Sequence, residues 1–268
     1  MPGPFLSTSP DISLASHEQH AAAGELLHNK PGQRIACVHQ PHYMPWLGLI
    51  DKIDRSDLYV VLDTVQFERR GWQNRNYIAG DGGKQLLTVP VVQASRDERI
   101  HDKQIDNTQN WRMKHLRALL DHSYRGAPYL DQYREEISGL FEQRWDHLAE
   151  LSIATTLLTL RAFGIDTPVV RASRLGALTG HKSELIAQVC TTVGADTLLS
   201  GSGARGYLDP DVLKQHAVEV EWQGFEHPVY TQNKSGRDGF ISHLAAIDLL
   251  FNAGPDSLEL LRSARPPL

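Results

Sequence analysis

The sequence has little of several features that would assign its class at once. Its 268 residues include only two cysteines, Cys37 and Cys190, and each lies in an apolar run. Two distant thiols in such runs predict buried, reduced side chains, and they exclude a disulfide framework or a cysteine-based zinc site. No run of about 20 apolar residues occurs, so the sequence predicts no membrane span.

Positive charge is also scarce. The formal net charge is −5, so no broad basic surface is available to neutralise a nucleic-acid backbone, and general nucleic-acid binding is not expected. The amino terminus lacks the basic start and apolar core of a secretory signal, and we therefore expect a cytoplasmic protein. The content of 41% hydrophobic and 22% charged residues is typical of a globular chain.

The first 32 residues differ in composition from the rest of the chain. They are rich in Pro, Ser, His and Ala, and they end in a turn signal at residues 29–32. We predict a disordered tail over residues 1–32, followed by one α/β domain over residues 33–268. The tail histidines His17, His20 and His28 could bind metal, but unstructured polar histidine is the more common explanation.

From residue 34 onwards, hydrophobic runs alternate between strand and helix periodicity. Apolar strands at 35–38 and 58–62 flank a helical pattern at 47–53, which predicts a right-handed parallel β–α–β unit. The same patterns predict further strands at 85–92, 167–172, 197–200 and 218–222, and helices at 182–193 and 241–251. The fold class is therefore α/β with a Rossmann-like, mostly parallel sheet.

Three helical patterns in succession interrupt the alternation of strands and helices. They cover residues 111–124, 129–141 and 147–163, the last closed by Gly164 at a position where helices often end. We expect them to form a helical insertion over about residues 108–164.

The segment from His39 to Trp46 directly follows the first strand. Ligands of parallel α/β sheets bind beyond the carboxyl ends of strands, so this position favours a site, with His39 as a general base or orienting donor. The alternative is that the aromatic and proline residues cap the core. Zinc is a weaker alternative because His39 and His42 have no third ligand nearby. The sequence also lacks the glycine-rich loops that commonly bind phosphate.

Other polar residues follow other predicted strands. Asp63 ends the second strand and is a catalytic candidate. Asn74, Arg75 and Asn76 place a bidentate cation between two amides, which suits a carboxylate or phosphate, although a charged surface hairpin explains them as well.

The carboxyl-terminal half contains three further candidates. A short glycine-rich loop over residues 200–207 could bind an oxyanion or serve as a turn, and Ser183 and Glu184 open a helix, where capping is the simpler explanation. His227, close to Tyr230, is a second acid/base candidate. No G-x-S-x-G motif supports a serine hydrolase.

Together these landmarks resemble the WbqC-like protein family over about residues 34–255. The resemblance rests on the motifs His39-Gln40-Pro41-x-Tyr43-x-Pro45-Trp46-x-Gly48 with Lys52, Leu62-Asp63-x-Val65-Gln66-Phe67, Trp72-x-Asn74-Arg75-Asn76, Leu87-Thr88-Val89-Pro90-Val91, Lys182-Ser183-Glu184, Gly194-Ala195-Asp196, Leu199-Ser200-Gly201-x-Gly203-Ala204, Tyr207-Leu208-Asp209, His227-Pro228-x-Tyr230 and Asp248-Leu249-Leu250-Phe251-Asn252-x-Gly254. His42 departs from the small polar residue typical of its position, which weakens a shared metal role for His39 and His42.

The resemblance implies a role in surface-polysaccharide or natural-product biosynthesis. The expected activity is a transferase or amide-forming ligase that joins a small acyl or aminoacyl group, such as glycyl, to an amino sugar or another amine. The expected partners are small molecules, either an amino sugar or a carrier-linked acyl group. A non-catalytic accessory protein, with Tyr43, Trp46 and Trp72 as a sugar-stacking floor, is the alternative from another class.

A looser likeness links the first turn and the late Ser/Gly loop to HIGH-type nucleotidyltransferases. It makes ATP an alternative cofactor, although the H-x-G-H signature is missing and the likeness is one of fold alone. No metal is expected. The expected catalytic residues are His39, His227 and Asp63. The expected substrate-binding residues are Gln40, Tyr43, Trp46, Lys52, Gln66, Asn74, Arg75, Asn76, Ser183, Glu184, Ser200, Gly201, Gly203, Tyr207 and Tyr230.

Overall fold

A five-stranded parallel sheet is the centre of the fold. The computed structural model describes residues 31–93, 95, 97–237 and 239–266. Residues 1–30 of the predicted tail (residues 1–32), with its three histidines, lie outside the described residues. The strands of the sheet are β1 (Ile35–His39), β2 (Leu58–Val61), β5 (Val169–Arg171), β6 (Thr197–Gly201) and β7 (Glu219–Gln223).

The order of the strands is β5-β2-β1-β6-β7, and every neighbouring pair is parallel. This confirms the predicted α/β class and the parallel β–α–β unit. The sheet is wound outward in both directions from β1, so the strand order reverses between β1 and β6. In doubly wound sheets the ligand crevice lies at the carboxyl ends of the strands at this reversal. The fold therefore directs attention to the residues that follow β1 and β6.

The central strands are buried on both faces because helices cover each face. Cys37 of β1 packs with Tyr59 of β2 in one hydrophobic cluster, whereas Ala36 and Leu58 belong to the other. Alternate residues thus point to opposite cores, as strand geometry requires. Both cysteines are buried free thiols, as predicted.

Helix α1 (Leu47–Asp54) connects β1 to β2 and packs on the first face. It shares this face with the predicted helical insertion, which consists of α2 (Trp111–Arg117), a π-helical continuation (Ala118–Ser123), α3 (Leu130–Glu142) and α4 (Leu148–Phe163). Almost every residue of α4 is buried. The insertion therefore supplies much of the core on this face.

The strand predicted at 85–92 lies outside the main sheet and ends at Thr88. The structure places β3 (Arg75–Gly80) and β4 (Gly83–Thr88) in a separate antiparallel hairpin. The tight connection through Gly82, with a φ of 75°, explains the pairing, because a two-residue turn joins neighbouring antiparallel strands directly. Of the two alternatives for residues 74–76, an anion-binding clamp or a surface hairpin, the hairpin describes their position, because β3 begins at Arg75.

The carboxyl-terminal half covers the second face and completes the first. Helices α5 (Ser183–Thr192) and α6 (Pro210–Gln215) pack against the second face, and α7 (Ile247–Ala253) and α8 (Ser257–Ser263) join the first. Helix α6, capped by Asp209, and helix α8 were not predicted.

The predicted helix start at residue 241 was wrong by six positions. Ala245 pairs with Trp46 in an antiparallel bridge, its amide donates to Tyr77 O, and the amide of Ala246 donates to Pro45 O. These bonds tie the preceding segment to other parts of the chain, and His243 there has a φ of 57°, so α7 starts only at Ile247. Among the residues that the structure describes, no helix has the length and apolarity needed to cross a membrane.

Candidate functional site

The carboxyl end of β1 carries the first candidate, His39. Its Nδ1 lies 2.9 Å from the carbonyl oxygen of Gln40, and because a carbonyl only accepts, Nδ1 carries the proton. Nε2 therefore presents a lone pair. Burial, then the charge of Lys52 and then that of His42, hold the pKa of His39 well below its usual range. His39 is thus a neutral imidazole with one nitrogen able to accept a proton.

His42 packs edge-on against His39, with 4.6 Å between the ring centroids. Burial and then Lys52 lower the pKa of His42 to about 3. Its Nδ1 is buried and has no hydrogen-bond partner among the described residues. An unpaired buried polar atom costs free energy, so the site leaves one nitrogen available to a ligand.

Lys52 of α1 is only 4% exposed. Burial lowers its pKa, and the nearby Cys37 thiol raises it in part. Among residues 31–93, 95, 97–237 and 239–266, no carboxylate pairs with this ammonium. We call His39, His42 and Lys52 the imidazole–lysine cluster. Its chemistry suits an anion, or a negative charge that develops during a reaction, because a buried positive charge without a partner is costly.

A pair of glutamines ties this cluster to the next segment of the chain. The Gln73 amide donates to Gln40 Oε1 at 2.6 Å and accepts from the backbone N–H of Glu68 at 3.0 Å. Gln73 is 1% exposed. Its role was missed in the sequence because it lies in a polar run, and only the fold brings it to Gln40.

The three residues of the predicted anion clamp donate to backbone carbonyls. Asn74 donates to Val89 O, Asn76 to Met44 O, and Arg75 to the carbonyls of Gly71 and Arg70. These bonds fix the hairpin over the segment from His39 to Trp46. An anion at residues 74–76 would have to compete with them, and the clamp stays a prediction.

Asp63, at the end of β2, is fully buried in a bonding network. One carboxylate oxygen accepts from Arg171 Nε at 2.8 Å and from Ser173 Oγ at 2.7 Å, and the other accepts from the Ser173 amide. The carboxylate therefore joins β2 to the residues after β5. Its predicted catalytic role would require these bonds to loosen.

Tyr43 is buried, although the sequence suggested a substrate contact. Its hydroxyl lies 2.8 Å from His115 Nδ1 in the helical insertion. Trp72 is 42% exposed and packs against Tyr77 and the guanidinium of Arg75. Tyr43 and Trp72 thus do not form one continuous surface. The buried Tyr43 ring is not exposed to a sugar in the way that the stacking floor of the accessory protein would require.

A second group of rings surrounds Trp46 and His227. His227 lies 5.3 Å from His243, which in turn stacks on Trp46 at 5.9 Å. Its Nδ1 lies 2.8 Å from Pro228 O, and its buried Nε2 has no partner within the described chain. We call this group the aromatic–imidazole cluster, and its members are Trp46, Phe225, His227, Tyr230, Phe240 and His243.

Sequence reasoning missed His243, Phe225 and Phe240. The only local signal was the close spacing of Phe225 and His227. Tyr230 donates to Asp248 Oδ2 at 2.7 Å, so its hydroxyl is occupied inside the protein.

The glycine-rich loop follows β6 at the other side of the strand reversal. Ser200 is buried, residues 202–206 form a 3₁₀ turn that includes Gly203, and Tyr207 is 66% exposed. The loop after Gly201 therefore stands beside the segment after β1, as the parallel pairing of β1 and β6 requires.

Ser183 and Glu184 lie at the start of α5 but do not cap it. Ser183 Oγ accepts from the Asp209 amide at 2.9 Å, and Glu184 lies 3.1 Å from His216 Nε2. The expected capping explanation is therefore replaced by bonds that hold α5 to α6. No metal-binding group of three His, Cys, Asp or Glu side chains occurs in the part of the chain that the structure describes.

The comparison with protein families agrees with the motifs. The model of the WbqC-like protein family matches residues 40–260. The chain belongs to the WbqC-like protein family. It is also 30% identical over 235 residues to the uncharacterised protein Rv1507c of Mycobacterium tuberculosis, which covers 87% of this chain and 99% of that protein. No solved structure matches the chain.

The WbqC-like region contains most of the geometry described above. It begins at Gln40 and includes His42, Lys52 and the aromatic–imidazole cluster, whereas His39 directly precedes it. In this WbqC-like chain, the segment after β1 therefore brings a buried lysine and two imidazoles to the reversal of strand order.

Proposed function

We propose that this protein forms an amide by transferring a small acyl or aminoacyl group, such as glycyl, to an amine. The amine belongs to an amino sugar or to a related small molecule of polysaccharide or natural-product biosynthesis in the cytoplasm. The observation that carries the proposal is the imidazole–lysine cluster. It places the imidazoles of His39 and His42 near the buried amino group of Lys52, and no carboxylate of the described residues pairs with that amino group.

His39 would act as the general base. The amine nitrogen attacks the acyl carbon, and Nε2 of His39 accepts the proton that this nitrogen loses. The bond from the acyl carbon to its leaving group then breaks, and the same proton passes to the leaving group. The lowered pKa leaves His39 unprotonated at neutral pH and makes it a weaker base than an exposed histidine.

Lys52 and His42 would stabilise the oxyanion that forms during the attack. An ammonium and an imidazole in a water-poor site interact more strongly with a developing charge than they would in water. Removing one such donor from an enzyme commonly lowers the rate by about 100-fold to 1,000-fold. The donor is either an activated acyl carrier, such as a thioester, or a free acid activated by ATP.

The test is a product assay with the full chain. An amino sugar nucleotide is incubated with glycine and ATP, or with a glycyl thioester, and the product is identified by mass spectrometry. Wild type should form the glycyl amide. His39→Ala and Lys52→Met should each reduce turnover by about 100-fold or more, while the exposed control His122→Ala should keep it.

Full turnover by a folded His39→Ala variant would refute the role of His39. The absence of amide with every donor would instead favour a non-catalytic carbohydrate-binding protein. The observation behind this second function is the ring-rich surface of the aromatic–imidazole cluster, since sugars stack on such surfaces. Thermal stabilisation by the sugar without turnover, lost in Trp46→Ala, would support it.

A further inference from the structure

A groove of about 520 Å³ is formed by the segment after β2 and the segment before α2. Its lining includes Gln66, Phe67, Arg69, Arg70, Gln93 and Lys103. This volume is typical of a small-molecule site, for which roughly 300–1,000 Å³ is usual.

The charges of the groove favour an anionic ligand. Lys103 is neutralised by Glu98, and Arg69 donates to Gln93 at 2.9 Å. The guanidinium of Arg70 has no hydrogen bond or ion pair to any described residue. Glu68 is the one carboxylate among the described lining residues, so the two arginines leave the lining with a positive charge.

The loop that carries the arginines is fixed before any ligand arrives. Arg70 adopts a φ of 71°, a left-handed conformation that is uncommon for a residue other than glycine. The Arg70 carbonyl accepts from Arg75, and the Gly71 amide donates to Glu68 O at 3.0 Å. Such strained backbone is concentrated at binding and catalytic sites.

Gln73 connects the groove with the proposed reacting group. It bonds the backbone of Glu68 on one side and the Gln40 amide on the other, and Gln40 fixes the tautomer of His39 through its carbonyl. Partial desolvation and then the charge of Glu68 raise the pKa of Tyr207, so Tyr207, after the glycine-rich loop, lies near Glu68 of the groove.

We infer that this groove binds a phosphate or diphosphate group of the substrate, with Arg69 and Arg70 as its anion-binding side chains. The rest of the substrate would extend past Gln73 towards His39. Guanidinium groups suit this ligand because they donate two hydrogen bonds in the geometry of a phosphate. The inference rests on the proposed function for its choice of substrate, but its binding test does not require turnover.

The experiment measures binding of inorganic pyrophosphate to the full chain by calorimetry. Two further probes distinguish the source of the phosphate, UDP for a nucleotide-linked sugar and phosphopantetheine for a carrier-linked acyl group. The double variant Arg69→Gln/Arg70→Gln should weaken the binding of pyrophosphate at least 10-fold. Arg125→Gln, an exposed arginine outside the groove, is the matched control and should bind like wild type.

The outcomes separate this inference from the proposed function. Binding that survives the double variant but is lost in Lys52→Met would overturn the inference, because the anion would then bind in the imidazole–lysine cluster. Failure of wild type to bind any of the three probes would also overturn it. Pyrophosphate binding that depends on the arginines, in a protein that forms no amide, would support the groove and refute only the proposed reaction.

Discussion

The two histidine clusters contain similar residues in different surroundings. Each contains two imidazoles near one lysine. Burial lowers the pKa of His227 and of His243, and Lys84, which is not a member of the aromatic–imidazole cluster, lowers both further. Lys84 itself is exposed on β4, with its ammonium 5.6 Å from the Tyr77 ring centroid. Lys52, in contrast, is enclosed in the protein.

The difference shows that burial, more than residue type, creates a reactive environment. Water and ions screen the charge of an exposed lysine, so its effect on neighbouring imidazoles is small. A buried ammonium acts through a less polar medium and cannot be solvated. This contrast supports our proposal that the chemistry belongs to the imidazole–lysine cluster and a binding surface to the aromatic–imidazole cluster.

Acidification should separate the two clusters most strongly. The pKa of folded His42 is about 3 because of burial and then Lys52, whereas an unfolded histidine has a pKa near ~6.5. Between these values the unfolded chain binds more protons, so stability is complete above about pH 6.5 and falls as the pH decreases. At pH 4.5 the loss from His42 alone is roughly 3 kcal/mol.

Urea unfolding at pH 7.5 and pH 4.5 measures this contribution. In His42→Asn, the change in the free energy of unfolding between the two pH values should be smaller than in wild type by roughly 2–3 kcal/mol. His243→Asn, whose ring is exposed, should differ from wild type by less than about 1 kcal/mol. Equal pH dependence in both variants would break the distinction between the clusters.

Gly48→Ala should produce the next largest effect, because Gly48 packs directly against Trp46 of the aromatic–imidazole cluster. A Cβ at this position of α1 would be 2.2 Å from Trp46 Cη2, so the indole must move. We expect a loss of about 2 kcal/mol, as is common for an overpacked core. Urea unfolding measures this loss.

Gly139→Ala in α3 is the matched control. A Cβ there meets no atom within 4 Å, and a helical alanine should stabilise the protein by up to about 1 kcal/mol. If Gly48→Ala instead proves neutral, Trp46 is not fixed against α1. If it weakens sugar binding and amide formation together, the two clusters form parts of one site.

Lys52→Met should give the smallest change, with the opposite sign. Removing an unpaired buried charge while keeping the volume is expected to raise the free energy of unfolding by about 1 kcal/mol, as function-linked polar groups often reduce stability. Lys84→Met on the surface should stay within about 0.5 kcal/mol of wild type. Both values follow from urea unfolding at pH 7.5. Destabilisation by Lys52→Met would contradict the view that this ammonium lacks a compensating partner.

The regular part of the fold could be predicted because its signals are local. The apolar runs of β1, β2 and β6, and the helical period of α3 and α4, indicate their structure without knowledge of neighbours. The start of α7 could not be placed in this way, because it depends on bonds between distant segments, such as that from Ala246 to Pro45. The β3–β4 hairpin did have a local signal, the Asp81-Gly82 turn, which the interpretation of the sequence did not use.

The residues of the candidate site also fall into those that the sequence could predict and those that it could not. Position after the first strand sufficed to nominate His39, and the family motif added Lys52. Nothing local indicated that Gln73 would bond Gln40 or that His243 would stack on Trp46. Nor did the sequence show that Tyr43 would be enclosed by the helical insertion or that Asp63 would bond Arg171.

The sequence by itself determined the fold class and the family, together with the segment where polar residues follow the first strand. Periodicity and motifs carry this information because they arise from residues close together in the chain. Only the tertiary structure decided which of those residues are chemically distinctive. The pKa values of His39, His42 and Lys52 depend on desolvation and on charges brought together by packing, and neither can be read from the spacing of residues along the chain.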